Sequence, residues 1–184
     1  MHLPVFFLLT IYGVLGSATS AFAPSHVKRG AQQNATLYAY GANTPQWPIA
    51  YGQTDGLLYI TQTPDDNNNN LLPMSWNLPA ITDDNWIVNA TFENGTSAGS
   101  LFIKPEDNYC VGVLPITRIS RINGTVSGFA LFASQLVYNN NTQLQAQFWA
   151  KETDTNGTYA LTWNPGWNMQ NGSFPVVVKA SESS

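Results

Sequence analysis

Residues 86–95 read Trp-Ile-Val-Asn-Ala-Thr-Phe-Glu-Asn-Gly and combine a strand pattern with a turn signal. Trp86, Val88, Ala90 and Phe92 alternate with a second set of side chains that includes Asn89, and alternation with a period of two predicts a strand. The Asn-Gly dipeptide at the end accepts the positive φ angles of tight hairpin turns. We therefore expect a strand with Asn89 on its outer face, followed by a hairpin turn.

The same two signals recur along most of the chain. Further Asn-Gly dipeptides begin at positions 123, 156 and 171, and runs rich in β-branched and aromatic residues lie between the turn signals. No stretch of about twelve residues has helical spacing of apolar positions without an interruption by Gly, Pro or Asn. The pattern predicts an all-β fold, an antiparallel β-sandwich of about eight to nine short strands. The predicted strands are residues 36–40, 56–61, 86–92, 100–103, 109–114, 129–138, 144–151, 158–163 and 175–179.

The N-terminal segment has the outline of a secretory signal peptide. An apolar run extends from Val5 to Leu15 and is followed by small residues around Ala18. The run is about a dozen residues long, whereas a membrane-spanning helix needs roughly 20. We expect residues 1–20 to be removed and the protein to be secreted into the extracellular space without a membrane anchor.

A dibasic pair, Lys28-Arg29, follows in a stretch rich in Ala, Pro, Ser and Gln, and such a pair suits a processing protease of the secretory pathway. Cleavage after Arg29 would make residues 21–29 a short pro-segment and residues 30–184 a single β-sandwich domain. A chain of about 155 residues can bury a sizeable core. Both histidines, His2 and His26, lie before this processing site, so the mature chain would contain none.

Charge and composition restrict the expected partners. The chain has seven basic and eleven acidic residues, a formal net charge of −4, and removal of Lys28 and Arg29 leaves five against eleven, or −6. An acidic protein lacks the positive charge that holds phosphate backbones, so nucleic acid is not an expected partner. Because only 10% of the residues are charged, Asn, Thr, Ser and Gln must supply much of the polar surface, as in extracellular glycoproteins.

Acceptor sites for N-linked glycans are more frequent than chance predicts. Roughly three Asn-x-Ser/Thr sites are expected for this Asn and Ser/Thr content. The excess predicts passage through the secretory pathway and attachment of several glycans. The acceptor residues are Asn34, Asn89, Asn94, Asn123, Asn140, Asn156 and Asn171.

The missing histidines exclude most catalytic machinery from the mature chain. Serine triads and Cys-His pairs need an imidazole to move the nucleophile's proton, and zinc sites built from His and Cys need three or four such ligands. The one cysteine, Cys110, lies in an apolar run and is expected to be a buried, unreactive thiol. We therefore predict no metal site and no cofactor.

Carboxylate chemistry stays open, because glycosidases need two Asp or Glu side chains across a cleft. Most acidic residues stand next to turns, where charged side chains are usually solvated. Glu93 and Glu152 each follow a predicted strand and form the first pair to test.

Six tryptophans are many for this length, and most are expected to fill the core. Trp47 and Trp167 lie in turn-rich loops, and Trp149 stands on the polar face of the predicted strand 144–151. Indole faces flanked by Asn and Gln can stack on sugar rings while the amide groups bond the hydroxyl groups. These three tryptophans are the predicted ligand-binding residues, with a glycan or a cell-wall polymer as the expected partner.

The chain also resembles a group of known proteins. Together with the signal peptide and the Lys28-Arg29 site, four short motifs are similar to those of small secreted glycoproteins of filamentous fungi. The resemblance implies an origin and export, and it implies no activity and no functional residue. The motifs are Leu-Tyr-Ala-Tyr-Gly at 37–41, Pro-Ile-Ala-Tyr-Gly at 48–52, Asp-Gly-Leu-Leu-Tyr-Ile at 55–60 and Gly-Phe-Ala-Leu-Phe at 128–132.

Three functions remain open from the sequence. The first is non-catalytic binding of a glycan, cell-wall polymer or foreign surface through a face rich in aromatic and amide side chains. The second is a polysaccharide hydrolase that uses carboxylates. The third is a structural or effector-like secreted protein. The sequence contains no motif that identifies the ligand or the oligomeric state.

Overall fold

The computed structural model describes residues 30–65, 70–105, 108–139, 143–169 and 171–181. The predicted signal peptide, the processing pair Lys28-Arg29 and the acceptor residue Asn140 lie outside the described residues.

Antiparallel strands dominate the described part of the chain, which confirms the predicted all-β fold. The named strands pair antiparallel throughout. The helical residues are α1 (Ile116–Ile119) and a short 3-10 helix, Ser120–Ile122. The strands are β1 (Gln32–Gly41), β2 (Thr44–Gly52), β3 (Leu58–Thr61), β4 (Leu71–Leu72), β5 (Ser75–Leu78), β6 (Asn89–Thr91), β7 (Ser97–Lys104), β8 (Cys110–Leu114), β9 (Phe129–Phe132), β10 (Gln135–Asn139), β11 (Leu144–Gln145), β12 (Phe148–Glu152), β13 (Thr158–Trp163) and β14 (Ser173–Ser181).

The predicted number of strands was wrong, since the described residues form fourteen strands instead of eight to nine. Two predicted strands are each divided in two. The segment 129–138 turns back at Ala133, whose φ is 59°, so that Phe132 pairs with Gln135 across a tight hairpin. The segment 144–151 is interrupted after Gln145, and β11 and β12 then pair with different neighbours.

Three further strands were not predicted. Strand β2 contains Pro45 and Pro48, and a proline in a strand removes one ladder hydrogen bond and weakens the sequence pattern. Strands β4 and β5 have two and four residues. Their pairing with β2, β1 and β6 decides their conformation, because segments this short carry little periodicity of their own.

The pairings join the strands around one core without a break. Strand β1 pairs with β2 and β14, β2 pairs with β3, β3 with β13, β13 with β12, and β12 with β14. The N-terminal half of β1 also pairs with β5, and β5, β6, β7 and β8 continue from there back to β13. The layers of the predicted sandwich are therefore connected by shared strands.

The core follows the alternation expected of strands that bury one face. In β14, Val176, Val178 and Ala180 are buried while Val177 and Lys179 are exposed. Aromatic contacts continue inside, with the Phe148 and Trp163 rings 5.0 Å apart and the Trp163 and Tyr138 rings 5.6 Å apart. The largest fully buried side chains are Trp76, Phe102, Phe129, Phe148, Leu37, Ile49, Leu58, Ile60, Leu78, Leu101, Ile119 and Leu131.

Two of the four Asn-Gly dipeptides make the expected hairpin connections. Gly95 (φ 79°) lies between β6 and β7, and Gly157 (φ 74°) lies between β12 and β13. Asn123 instead ends the 3-10 helix in a left-handed conformation. Gly172 precedes β14, which pairs with β12 and β1 and not with the preceding strand β13.

Within the described ranges, no helix has the length and apolar character needed to span a bilayer. The same ranges contain no group of three or more His, Cys, Asp or Glu side chains arranged to hold a metal ion.

Candidate functional site

The outer face of β12, β13 and β14 forms the floor of a candidate binding site. Trp149 of β12 lies opposite Thr162 of β13, and Lys151 of β12 lies opposite Ser173 of β14. Directly opposed residues share one face of a sheet. The neighbouring residues Phe148 and Ala150 point the other way, into the core.

Residues that follow β7, precede β8 and follow β13 border a cavity of about 490 Å³ beside this floor. A volume of this size falls within the roughly 300–1,000 Å³ typical of small-molecule sites. The lining residues combine three asparagine side chains with aromatic and hydroxyl groups and a single lysine. They are Pro105, Asn108, Tyr109, Trp149, Lys151, Thr162, Trp163, Asn164, Pro165, Gly166, Asn168 and Ser173.

Hydrogen bonds hold the loop after β13 in place. The Asn164 backbone N–H donates to the carbonyl oxygen of Gln147 at 2.9 Å, and the Asn164 Nδ2 donates to the carbonyl oxygen of Asn168 at 2.8 Å. Gln147 Nε2 approaches the carbonyl oxygen of Pro165 at 3.5 Å. The loop therefore presents its side chains from a backbone that is bonded to Gln147, the residue before β12.

Two tryptophans predicted to bind ligand meet beside this cavity. The Trp149 and Trp167 rings lie 6.4 Å apart in an edge-on arrangement at 71°. Trp149 is only 2% exposed, whereas Trp167 is 56% exposed. Trp149 therefore supports Trp167 from below, and Trp167 presents the accessible indole surface.

The third predicted tryptophan lies elsewhere. Trp47 is partly buried, packs against the core and contacts the Tyr159 ring at 5.9 Å. Tyr159 also meets Phe174 edge-on, with the ring centroids 5.2 Å apart. The structure thus brings together Trp149 and Trp167 and leaves Trp47 on the core side of the sheet.

Tyr109 is a site residue that the sequence analysis did not identify. It lines the cavity, is 38% exposed and has a φ of 53°, and its carbonyl oxygen accepts a hydrogen bond from the Trp163 N–H at 2.9 Å. The sequence placed it at the start of a predicted strand. Only the positive φ turns it out of the strand and toward the cavity.

The carboxylates chosen from sequence belong to separate places. Glu93 lies with Pro73 and Phe92 around a depression that does not include Glu152. Glu152 stands beside Gly172, and a Cβ at that glycine would come within 2.9 Å of Glu152 Oε2. The position of an acidic residue directly after a strand therefore did not predict which acidic residues share a surface.

A different pair of carboxylates shares a cavity of about 260 Å³. Asp55 and Asp154 both line it, together with Tyr59 and several threonines. Asp55 accepts hydrogen bonds from the Tyr59 hydroxyl at 2.6 Å and from the Leu57 N–H at 2.9 Å. Burial raises the pKa of Tyr59 well above its ordinary value of 10.0, and the hydrogen bond to Asp55 raises it further.

Every predicted glycan acceptor among the described residues has an exposed side chain. Two of them are oriented by a neighbouring hydroxyl: Asn89 Oδ1 accepts from Ser100 Oγ at 2.7 Å, and Asn94 Oδ1 accepts from Thr96 Oγ1 at 2.6 Å. In both cases the oxygen is engaged, and the Nδ2 that would carry a glycan is the other amide atom. The exposed acceptors are Asn34, Asn89, Asn94, Asn123, Asn156 and Asn171.

Comparison with known proteins finds no family model, no curated protein and no solved structure that matches this chain.

Proposed function

We propose that this chain is a secreted, N-glycosylated extracellular protein that binds a glycan or a cell-wall polysaccharide without catalysis. The binding site is the cavity on the outer face of β12, β13 and β14. We also propose that the protein comes from a filamentous fungus, because its short motifs resemble those of small secreted fungal glycoproteins.

One observation carries the binding proposal. The exposed ring of Tyr109 lines the cavity together with Asn108, Asn164 and Asn168, and the exposed ring of Trp167 packs against the cavity residue Trp149. A sugar offers an apolar ring face to an aromatic side chain and hydroxyl groups to amides, which can both donate and accept. The cavity supplies both kinds of contact at once.

Replacement of the exposed ring tests this proposal. We expect Trp167→Ala to weaken glycan binding by about tenfold or more, because an exposed aromatic ring that stacks on the ligand typically contributes at least that factor. The measurement is titration of the purified protein with the best ligand from a glycan array. Phe132→Ala is the matched control, since Phe132 is a 46% exposed ring on β9, whereas Trp167 packs against the cavity residue Trp149.

Trp149→Phe refines the same test. The indole Nε1–H of Trp149 is buried and has no acceptor among the described residues, so its removal leaves no polar group unpaired. The smaller ring loses its edge contact with Trp167 and leaves space at a buried position, so we expect weaker binding and a loss of stability of about 1–2 kcal/mol. Binding by both tryptophan variants at the strength of the unaltered protein would overturn the proposal.

A polysaccharide hydrolase is the second candidate. What favours it is the cavity shared by Asp55 and Asp154, because hydrolysis of a glycosidic bond needs two carboxyl groups. Asp55→Asn and Asp154→Asn should each abolish any release of reducing sugar from polysaccharide substrates. Glu93→Gln and Glu152→Gln are matched controls, because each also removes one negative charge but lies outside this cavity.

A structural or effector-like role is the remaining alternative. Absence of binding to any glycan on the array, together with no hydrolysis of any polysaccharide, would favour this role.

A further inference from the structure

The two cavities lie along the same face of β13. Thr162 lines the larger cavity and Thr158 lines the smaller one. Both belong to β13 and are separated by four positions, so they and Ala160 between them share one face of the strand. That face is the outer one, because Leu161 and Trp163 are buried in the core.

Ala160 connects the cavities across neighbouring strands as well. Its partner on β12 is Lys151, which lines the larger cavity, and its partner on β3 is Tyr59, which lines the smaller one. Ala160 itself is partly exposed. With only a methyl group at this position, no large side chain from β13 stands between the two cavities.

From these placements we propose that the two cavities are the ends of one groove that binds a linear polysaccharide chain across Ala160. This inference rests on the proposed glycan-binding function and deepens it. Four residues of strand span about 13 Å at roughly 3.3 Å per residue, which is the distance along β13 between a residue of one cavity and a residue of the other. A single sugar ring fills only one cavity, whereas an oligosaccharide reaches both.

Charge along the groove selects an uncharged chain. Asp55 and Asp154 lie at one end, Lys151 lies near the middle, and residues 30–184 carry five basic and eleven acidic residues, a formal net charge of −6. A polyanionic chain would meet repulsion from the carboxylates at the smaller cavity. The hydroxyl groups of a neutral polysaccharide can instead donate hydrogen bonds to those carboxylates.

Dependence of affinity on chain length is the experiment that tests the groove. Neutral glucan and chitin oligosaccharides from monomer to hexamer are titrated into the full secreted protein. We expect the hexamer of the preferred series to bind about tenfold or more tightly than its dimer, because only the longer chain contacts both cavities. Polyuronate oligomers of the same length should bind more weakly.

Two substitutions locate the effect. Ala160→Trp should remove the advantage of the hexamer while leaving dimer binding in the larger cavity unchanged. Val177→Trp is the matched control, because Val177 is exposed on β14 and lines neither cavity. Asp154→Ala, at an exposed position in the smaller cavity, should weaken hexamer binding alone and serves if Ala160→Trp does not fold.

The outcomes separate the groove from the binding function itself. Equal affinity for dimer and hexamer, with both lost in Trp167→Ala, would overturn the groove and keep the larger cavity as the binding site. No binding of any oligomer would overturn both proposals. Hexamer binding that is insensitive to Ala160→Trp and to Asp154→Ala would also overturn the groove.

Discussion

At the scale of single residues, environment separates side chains that the sequence presents as equals. Trp47, Trp149 and Trp167 all stand in polar or turn-rich stretches, yet their surroundings differ. Trp47 packs against the core, Trp149 is covered, and Trp167 is exposed. Of the three rings, only that of Trp167 is exposed enough to take part in the proposed binding, and the covered Trp149 ring packs against it.

Tyr59 makes stability depend on pH in the alkaline range. Burial and the hydrogen bond to Asp55 raise its pKa in the folded protein above the ordinary value of 10.0. Below pH 10 both states keep the proton, and the contribution of Tyr59 to stability is fully present. Above pH 10 the unfolded state loses the proton first, so the free energy of unfolding falls as pH rises.

Tyr59→Phe tests this dependence. Below pH 10 we expect a loss of about 1 kcal/mol, because the hydrogen bond to Asp55 disappears. Above pH 10 we expect a shallower decline than in the unaltered protein, measured as urea midpoints across the alkaline range. Asp55→Asn should also flatten the decline, and parallel curves for all three proteins would contradict the role of Tyr59.

At the scale of strands and turns, glycines fix where backbones can approach each other. Gly99 in β7 has a φ of +130°, and a Cβ there would lie 2.3 Å from the backbone carbonyl of Leu114. Gly95, in the turn before β7, also has a positive φ, but nothing lies within 4 Å of its Cβ position. Gly99 is therefore needed because another strand passes close to it, whereas Gly95 is needed only for the backbone conformation of the turn.

Gly99→Ala should destabilise the protein far more than Gly95→Ala does. Strain at the positive φ and the clash with Leu114 together should cost about 3 kcal/mol or more. The cost of Gly95→Ala should be about 1–2 kcal/mol, because only the backbone conformation is unfavourable. Urea unfolding of both variants measures the difference, and equal losses would show that β8 moves away without resistance.

At the scale of the whole molecule, the asparagines predicted to accept glycans are separated from the buried core. Those among the described residues are exposed, while one cluster of apolar side chains fills the interior. A glycan on any of these asparagines can extend into solvent without displacing a core residue. This arrangement is compatible with the proposed secretion.

Glycan occupancy can be measured directly. Protein purified from the medium of its host should lose mass on enzymatic deglycosylation, and its N-terminus should be Gly30. Asn156→Gln and Asn171→Gln should each remove the mass of one glycan, because both asparagines are exposed next to turns. An unchanged mass after deglycosylation would contradict the proposed glycosylation.

The amino-acid sequence by itself determined the fold class and the outward face of at least one strand. Alternation and Asn-Gly turns predict the all-β class, and each of the nine predicted strands overlaps an observed one. They also place Asn89 on an outer face, opposite the buried Val88 and Ala90. These features follow from local backbone geometry and from burial of one face, which nearby residues encode.

Only the tertiary structure decided which outer faces meet. Trp149 stands on a polar face of β12, as its sequence neighbours indicate, but the loop carrying Trp167 covers it. Asp55 and Asp154 share a cavity although about a hundred positions separate them, because β3 pairs with β13 and β13 follows β12. Such neighbours arise from long-range strand pairing, whose register depends on the packing of the whole core and not on any local pattern.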